Sequence, residues 1–154
     1  MIVAARPLAP APGQGYRRAS QMGDGFEAAW GSPIRVLIAD DDGGFRASLE
    51  QLIERQPELS VVGAAVDGLE AIELADELDP DAVVIDLHMP LVDGITATAR
   101  LRRDHAHLCL IALTGDEDPA LHDAVREAGA DEVLLKSELV EGLLERLSAA
   151  RERV

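Results

Sequence analysis

Cysteine, lysine and aromatic residues are the scarce components of this 154-residue chain. Cys109 is the one cysteine, so no disulfide can form within the chain, and a reducing compartment, the cytoplasm, is the expected setting. Its place in the apolar run Leu108-Cys109-Leu110-Ile111 reads as that of a small core hydrophobe. Aromatics make up 3% of the chain against an apolar fraction of 47%, which leaves Leu, Val, Ile and Ala to build the core. That diet is common where helices cover a parallel sheet. No run reaches membrane-spanning length, and the opening Met1-Ile2-Val3-Ala4-Ala5 breaks at Arg6-Pro7, too soon for the apolar part of a secretory signal. Positive charge is short as well. The net charge is -15, and the residues before Ile34 carry Arg6, Arg17 and Arg18 against Asp24 and Glu27, so the remainder stands near -16. Such a body repels nucleic acid and anionic membrane and suits cations and basic protein surfaces.

The length fits one domain with a substantial core. Residues 1–33 are rich in Pro, Gly and Ala without apolar periodicity and read as a flexible tail, leaving one domain over residues 34–154. From Ile34 onward, short apolar runs predict five strands: Ile34 to Ala39, Ser60 to Val66, Ala82 to Ile85, Leu108 to Leu113 and Glu132 to Leu135. Between them, Phe45, Leu49, Leu52 and Ile53 recur at helical spacing before Pro57. Asp67 with Glu70 resembles a capping box that opens a helix ending near Pro80. Asp118-Pro119 reads as an N-cap and first helical residue, and Gly129 as the end of that helix. The last helix is expected to bury Leu139, Val140, Leu143, Leu144 and Leu147 and to leave Glu141, Glu145 and Arg146 wet. Strands alternating with helices give an α/β fold, a doubly wound parallel sheet with helices on both faces.

In such sheets ligands gather outside the carboxyl ends of the strands. Strand one runs into Asp40-Asp41-Asp42, strand three into Asp86, strand four into Thr114 and strand five into Lys136. Strand two ends less tellingly, in Asp67. Carboxylates from two strands meeting at one edge repel each other unless a cation sits among them, and all-oxygen ligands suit magnesium. Asp86 then reads as a nucleophile able to attack phosphorus, Thr114 as a hydrogen-bond donor to phosphoryl oxygens, and Lys136 as the charge that neutralises them. Lys136 is the one lysine among 14 Lys and Arg residues. A compact ammonium stands where arginine is otherwise used.

The stretches Val36-Leu37-Ile38-Ala39-Asp40-Asp41, Val84-Ile85-Asp86-Leu87-His88-Met89-Pro90 with Asp93-Gly94, Ala112-Leu113-Thr114 and Leu134-Leu135-Lys136-Ser137 together resemble the receiver domains of bacterial two-component response regulators. The resemblance implies a flavodoxin-like five-stranded sheet in the order 2-1-3-4-5, with Asp86 as phosphoacceptor. It implies Mg2+ held directly by Asp41 and Asp86, partly through water by Asp40, and by the backbone carbonyl of His88. It also implies a sensor histidine kinase or phosphotransfer protein as donor, output through a homodimer or a downstream protein, and no enzyme activity beyond self-catalysed phosphotransfer and autodephosphorylation. The Leu-Leu-Lys-Ser ending is similar to the subgroup that usually bears a C-terminal LuxR-type helix-turn-helix domain. No such segment follows Lys136 here, so DNA binding by this chain is not expected. Val133 stands where many receivers carry an aromatic switch residue, and Ser137 where proline is frequent.

Three other readings compete. Asp40-Asp41-Asp42-Gly43 also reads as the Asp-x-Asp-Gly opening of a haloacid-dehalogenase-type, magnesium-dependent phosphatase. That enzyme needs an acidic pair after the lysine, where helical Glu138, Glu141 and Glu145 follow instead, and it leaves Asp86 unused. A receiver-like module that binds partners without phosphorylation differs only in whether Asp86 accepts phosphate. His105, His107 and Cys109 alternate as strand-borne zinc ligands might, without a fourth ligand; a loop histidine pair is the plainer reading.

Overall fold

The computed structural model describes residues 32–153. The tail expected over residues 1–33 falls outside the described residues up to residue 31, as do the side-chain positions expected for Leu139, Val140 and Glu141. The elements alternate throughout: β1 (Ile34–Ala39), α1 (Gly43–Glu54), β2 (Leu59–Ala65), α2 (Gly68–Leu78), β3 (Ala82–Asp86), α3 (Gly94–Asp104), β4 (Cys109–Thr114), α4 (Pro119–Ala128) and β5 (Glu132–Leu135), then a 3-10 turn (Lys136–Glu138) and α5 (Leu139–Arg153). All strand pairs are parallel, in the order β2-β1-β3-β4-β5. Among the described residues no helix is long and apolar enough to cross a membrane.

The strands are nearly continuous apolar runs because both sheet faces are covered. Period-two alternation then sorts their side chains. Val36, Ile38, Val84, Ile111 and Leu113 join Leu49 and Ile53 of α1 and Leu143 and Leu147 of α5 in one core cluster. Leu37, Ala39, Val83, Ile85, Leu110 and Ala112 join Ala71 and Ala75 of α2, Ala97 and Leu101 of α3 and Val125 of α4 in the other. Helices α1 and α5 therefore cover one face and α2, α3 and α4 the opposite face. The winding reverses between β1 and β3, and this reversal opens a crevice at their carboxyl ends.

Local chemistry starts and stops the helices. Asp42, Asp67, Asp93 and Asp118 each accept backbone N–H groups as N-caps, and the Asp42 cap offsets the weak start of α1 at Gly43-Gly44. Glu70 Oε1 accepts from Val66 N at 2.8 Å, one residue before the N-cap nitrogen of an ideal capping box. Gly129 closes α4 at φ 128°, a conformation that favours glycine.

Several expectations shift. Strand β2 starts and ends one residue earlier than expected, leaving Val66 exposed beyond it, while β4 starts and ends one residue later and takes in Thr114. Strand β3 takes in Asp86. Helix α3 is an element that no run of large apolar residues singles out, its buried face being Gly94, Ala97, Thr98 and Leu101. Leu144 is half-buried, and so is Arg146, expected wet, which pairs with Glu132 at 3.4 Å.

Candidate functional site

Register brings the strand ends together. Ala39 pairs with Ile85, Asp86 with Leu113 and Thr114 with Leu135, so Asp40, Asp86, Thr114 and Lys136 line up along one edge of the sheet. Asp40 and Thr114 are fully buried and Asp86 is 4% exposed, whereas Asp41 lies open to solvent. One carboxylate oxygen from each of Asp40, Asp41 and Asp86 lies within 4.8 Å of the others. The Lys136 ammonium reaches into the same space, 3.1 Å from Asp40 Oδ2 and 3.4 Å from Asp86 Oδ2.

The second oxygens are held by backbone. Asp40 Oδ1 accepts from Asp42 N at 2.9 Å, and Asp86 Oδ1 accepts from His88 N at 3.2 Å. Thr114 Oγ1 accepts from Asp116 N at 3.0 Å, which leaves its own O–H to donate. Burial pushes the Asp86 carboxyl above the ordinary aspartate value; the His88 N–H and the Lys136 charge oppose the shift, and the Asp40 charge adds to it. For Lys136 burial pulls downward, yet the adjoining Asp40 carboxylate and the charge of Asp86 outweigh it, so the ammonium is held above the usual lysine range.

Asp40, Asp41, Asp86, Thr114 and Lys136 thus converge as the strand ends predict. His88 contributes its backbone N–H; its side chain is exposed and outside the carboxylate group. Asp42 does not join. Its carboxylate caps α1 through Gly44 N at 3.0 Å and Phe45 N at 3.2 Å, which removes the second acid of the Asp-x-Asp-Gly phosphatase reading. Asp67 is likewise spent as the cap of α2. His105 and His107 precede β4 rather than alternating within it, and they pair with Asp76 at 2.8 Å and Asp79 at 3.7 Å, while Cys109 is buried. Sequence reasoning missed two neighbours: Arg46, whose Nη1 donates to Asp40 O at 2.7 Å, and Phe45, whose ring centroid lies 4.3 Å from Lys136 Nζ.

The donor set fits a hard divalent cation. It is all oxygen, and Asp40 Oδ2 is a buried atom without a hydrogen bond, facing the ammonium as a charge contact alone.

The family model of the response regulator receiver domain matches residues 36–148. The chain belongs to that family. As a receiver domain it is similar to the transcriptional regulatory protein LiaR of Bacillus subtilis, 39% identical over 117 residues that cover 76% of this chain and 56% of LiaR. It is also 39% identical over 105 residues to protein-glutamate methylesterase/protein-glutamine glutaminase 1 of Shewanella denitrificans, covering 67% of this chain and 27% of that protein. The receiver therefore spans between about a quarter and a little over half of these relatives. Among solved structures, the response regulator domain of Thermotoga maritima CheB superposes with a TM-score of 0.72 at 33% identity, over 77% of this chain and 96% of that one. The order β2-β1-β3-β4-β5 is the flavodoxin-like order.

Proposed function

We propose that this receiver domain takes a phosphoryl group onto Asp86 from a sensor histidine kinase or a phosphotransfer protein in the cytoplasm, and signals through protein–protein contact. The convergence of Asp40, Asp41 and Asp86 around the sole lysine carries the reading. In the transfer, an Asp86 carboxylate oxygen attacks the donor's phosphorus. The bond from phosphorus to the donor atom breaks, its electron pair leaves with the donor, and an aspartyl phosphate forms. Asp41, Asp86 and the His88 carbonyl would hold Mg2+ directly and Asp40 through water; bound there, the ion supplies positive charge to the phosphoryl oxygens. Thr114 donates its hydroxyl proton to one phosphoryl oxygen and Lys136 neutralises another.

Output runs from Thr114 and Lys136 to the surface of α4, β5 and α5, toward a second copy or a basic downstream protein. Half-buried Val133 is too stiff at its first torsion to act as a ring switch. Intact mass after incubation with Mg2+ and acetyl phosphate tests the reading: one phosphoryl group is expected on wild type and none on Asp86→Ala. An unmodified wild type, or a fully modified Asp86→Ala, overturns it.

A further inference from the structure

Phe45 is the one aromatic side chain after residue 33 in a chain that builds its core from aliphatics. It stands on the first turn of α1, directly after the N-cap, where Asp42 accepts its backbone N–H at 3.2 Å. The next residue, Arg46, ties the same turn to Asp40 O at 2.7 Å. One part of the ring packs against the core cluster beneath α1 and α5, and its face meets the Lys136 ammonium with 4.3 Å between Nζ and the centroid. The turn that carries Phe45 is thus fixed by the Asp42 cap and tied through Arg46 to Asp40 of the site.

We propose that Phe45 is a positioning residue for Lys136. A lysine on a four-carbon stem must aim a compact charge, and its carboxylate contacts are variable, because the same Asp40 and Asp86 oxygens are those on offer to a cation or a phosphoryl group. A ring face attracts the ammonium without competing for those oxygens and without titrating. Phe45 therefore holds Lys136 over the site while its carboxylate partners are engaged elsewhere, and the Lys136 side chain, 27% exposed, stays out of bulk water.

The inference rests on phosphorylation at Asp86, and the test separates the two. Because Lys136 is the sole lysine, protein carrying 13C-lysine gives a single ε-methylene signal. It is expected to be shifted upfield by the ring in wild type and in Phe45→Tyr, and to return toward the free-lysine position in Phe45→Leu. Phosphorylation by acetyl phosphate at fixed Mg2+ should slow in Phe45→Leu by about three- to tenfold, the factor a lost cation–π contact is worth, and recover in Phe45→Tyr. A wild-type signal at the free-lysine position overturns the proposal, as does an unchanged rate in a folded Phe45→Leu or a Phe45→Tyr as slow as Phe45→Leu. A wild type that takes no phosphoryl group removes the functional reading, and this inference with it.

Discussion

At the scale of single residues, the site concentrates like charge. The buried Asp40 and Asp86 and the half-buried Lys136 form a set with a net charge of -1, and Asp86 bears the strain as a raised pKa caused first by burial. A carboxyl whose folded pKa stands above its unfolded value destabilises the native state when ionised. That penalty is fully present above the raised value and is relieved as pH falls through it toward the ordinary one. Asp86→Asn removes the surplus charge and leaves Asp40, at 3.1 Å, to neutralise Lys136. In chelator at neutral pH this variant should unfold at higher temperature than wild type, a gain of roughly 0.5–2 kcal/mol of the kind seen when functional sites are relaxed. The gain should shrink toward pH 4. A less stable Asp86→Asn at neutral pH would contradict the account. These residues were legible because each directly follows an apolar run, and parallel strands deliver such positions to one edge. Phe45 was not: in the series Phe45, Leu49, Leu52 and Ile53 it reads as one more core position, and only tertiary packing puts its face on a cation.

At the scale of elements, the legible helices announced themselves by a capping signal, as α2 and α4 did, or by large apolar residues at helical spacing, as α1 and α5 did. Helix α3 escaped because its Asp93 cap reads first as part of the Asp93-Gly94 motif, and its buried face, Gly94, Ala97, Thr98 and Leu101, holds a single large apolar residue. Small residues are what close approach demands: a Cβ on Gly94 would run into the Asp86 carbonyl oxygen and the Leu87 Cα. Leu91 in the preceding loop was equally hidden, a 77% exposed side chain at φ 70° that no composition argument foresees. Strand ends moved by one residue because ladder hydrogen bonds, not hydrophobicity, set them. Arg102 then ties α3 to its surroundings. Its guanidinium donates to Gly129 O at 3.0 Å, Ala106 O at 2.7 Å, Leu108 O at 2.9 Å and Asp131 Oδ2 at 2.9 Å, joining the α3–β4 and α4–β5 connections. Arg102→Ala should cost about 2–3 kcal/mol, read as a lower urea midpoint, because several carbonyls lose their donor at once. Arg103→Ala, whose side chain is 70% exposed and among the described residues pairs with Asp104 alone, should leave the midpoint where it is. Equal midpoints for the two variants would deny Arg102 this role.

At the scale of the whole molecule, a charge of -15 acts twice. It lowers stability through diffuse self-repulsion, which any salt screens, and it concentrates at one crevice where only a cation of the right size relieves it. The two effects separate in a thermal melt at constant ionic strength. Replacing part of the sodium chloride with magnesium chloride should raise the melting temperature, by about 1.4 kcal/mol of stabilisation at ten times the dissociation constant. The rise should disappear in Asp41→Asn and Asp86→Asn, which keep nearly all of the diffuse charge and lose a ligand each. Binding needs ionised carboxylates, and Asp86 holds its proton to higher pH than an ordinary aspartate. The magnesium effect should therefore be largest near neutral pH and fade as pH falls through the raised Asp86 value. Asp93 responds in the opposite sense. Its carboxylate, held below the ordinary value first by the Thr96 N–H, supports α3 at every pH above that range and loses this role only in stronger acid. Loss of the magnesium effect above pH 4 therefore reports the crevice and not the unravelling of α3. A magnesium response equal in wild type, Asp41→Asn and Asp86→Asn would assign it to diffuse screening and leave the three carboxylates without a metal.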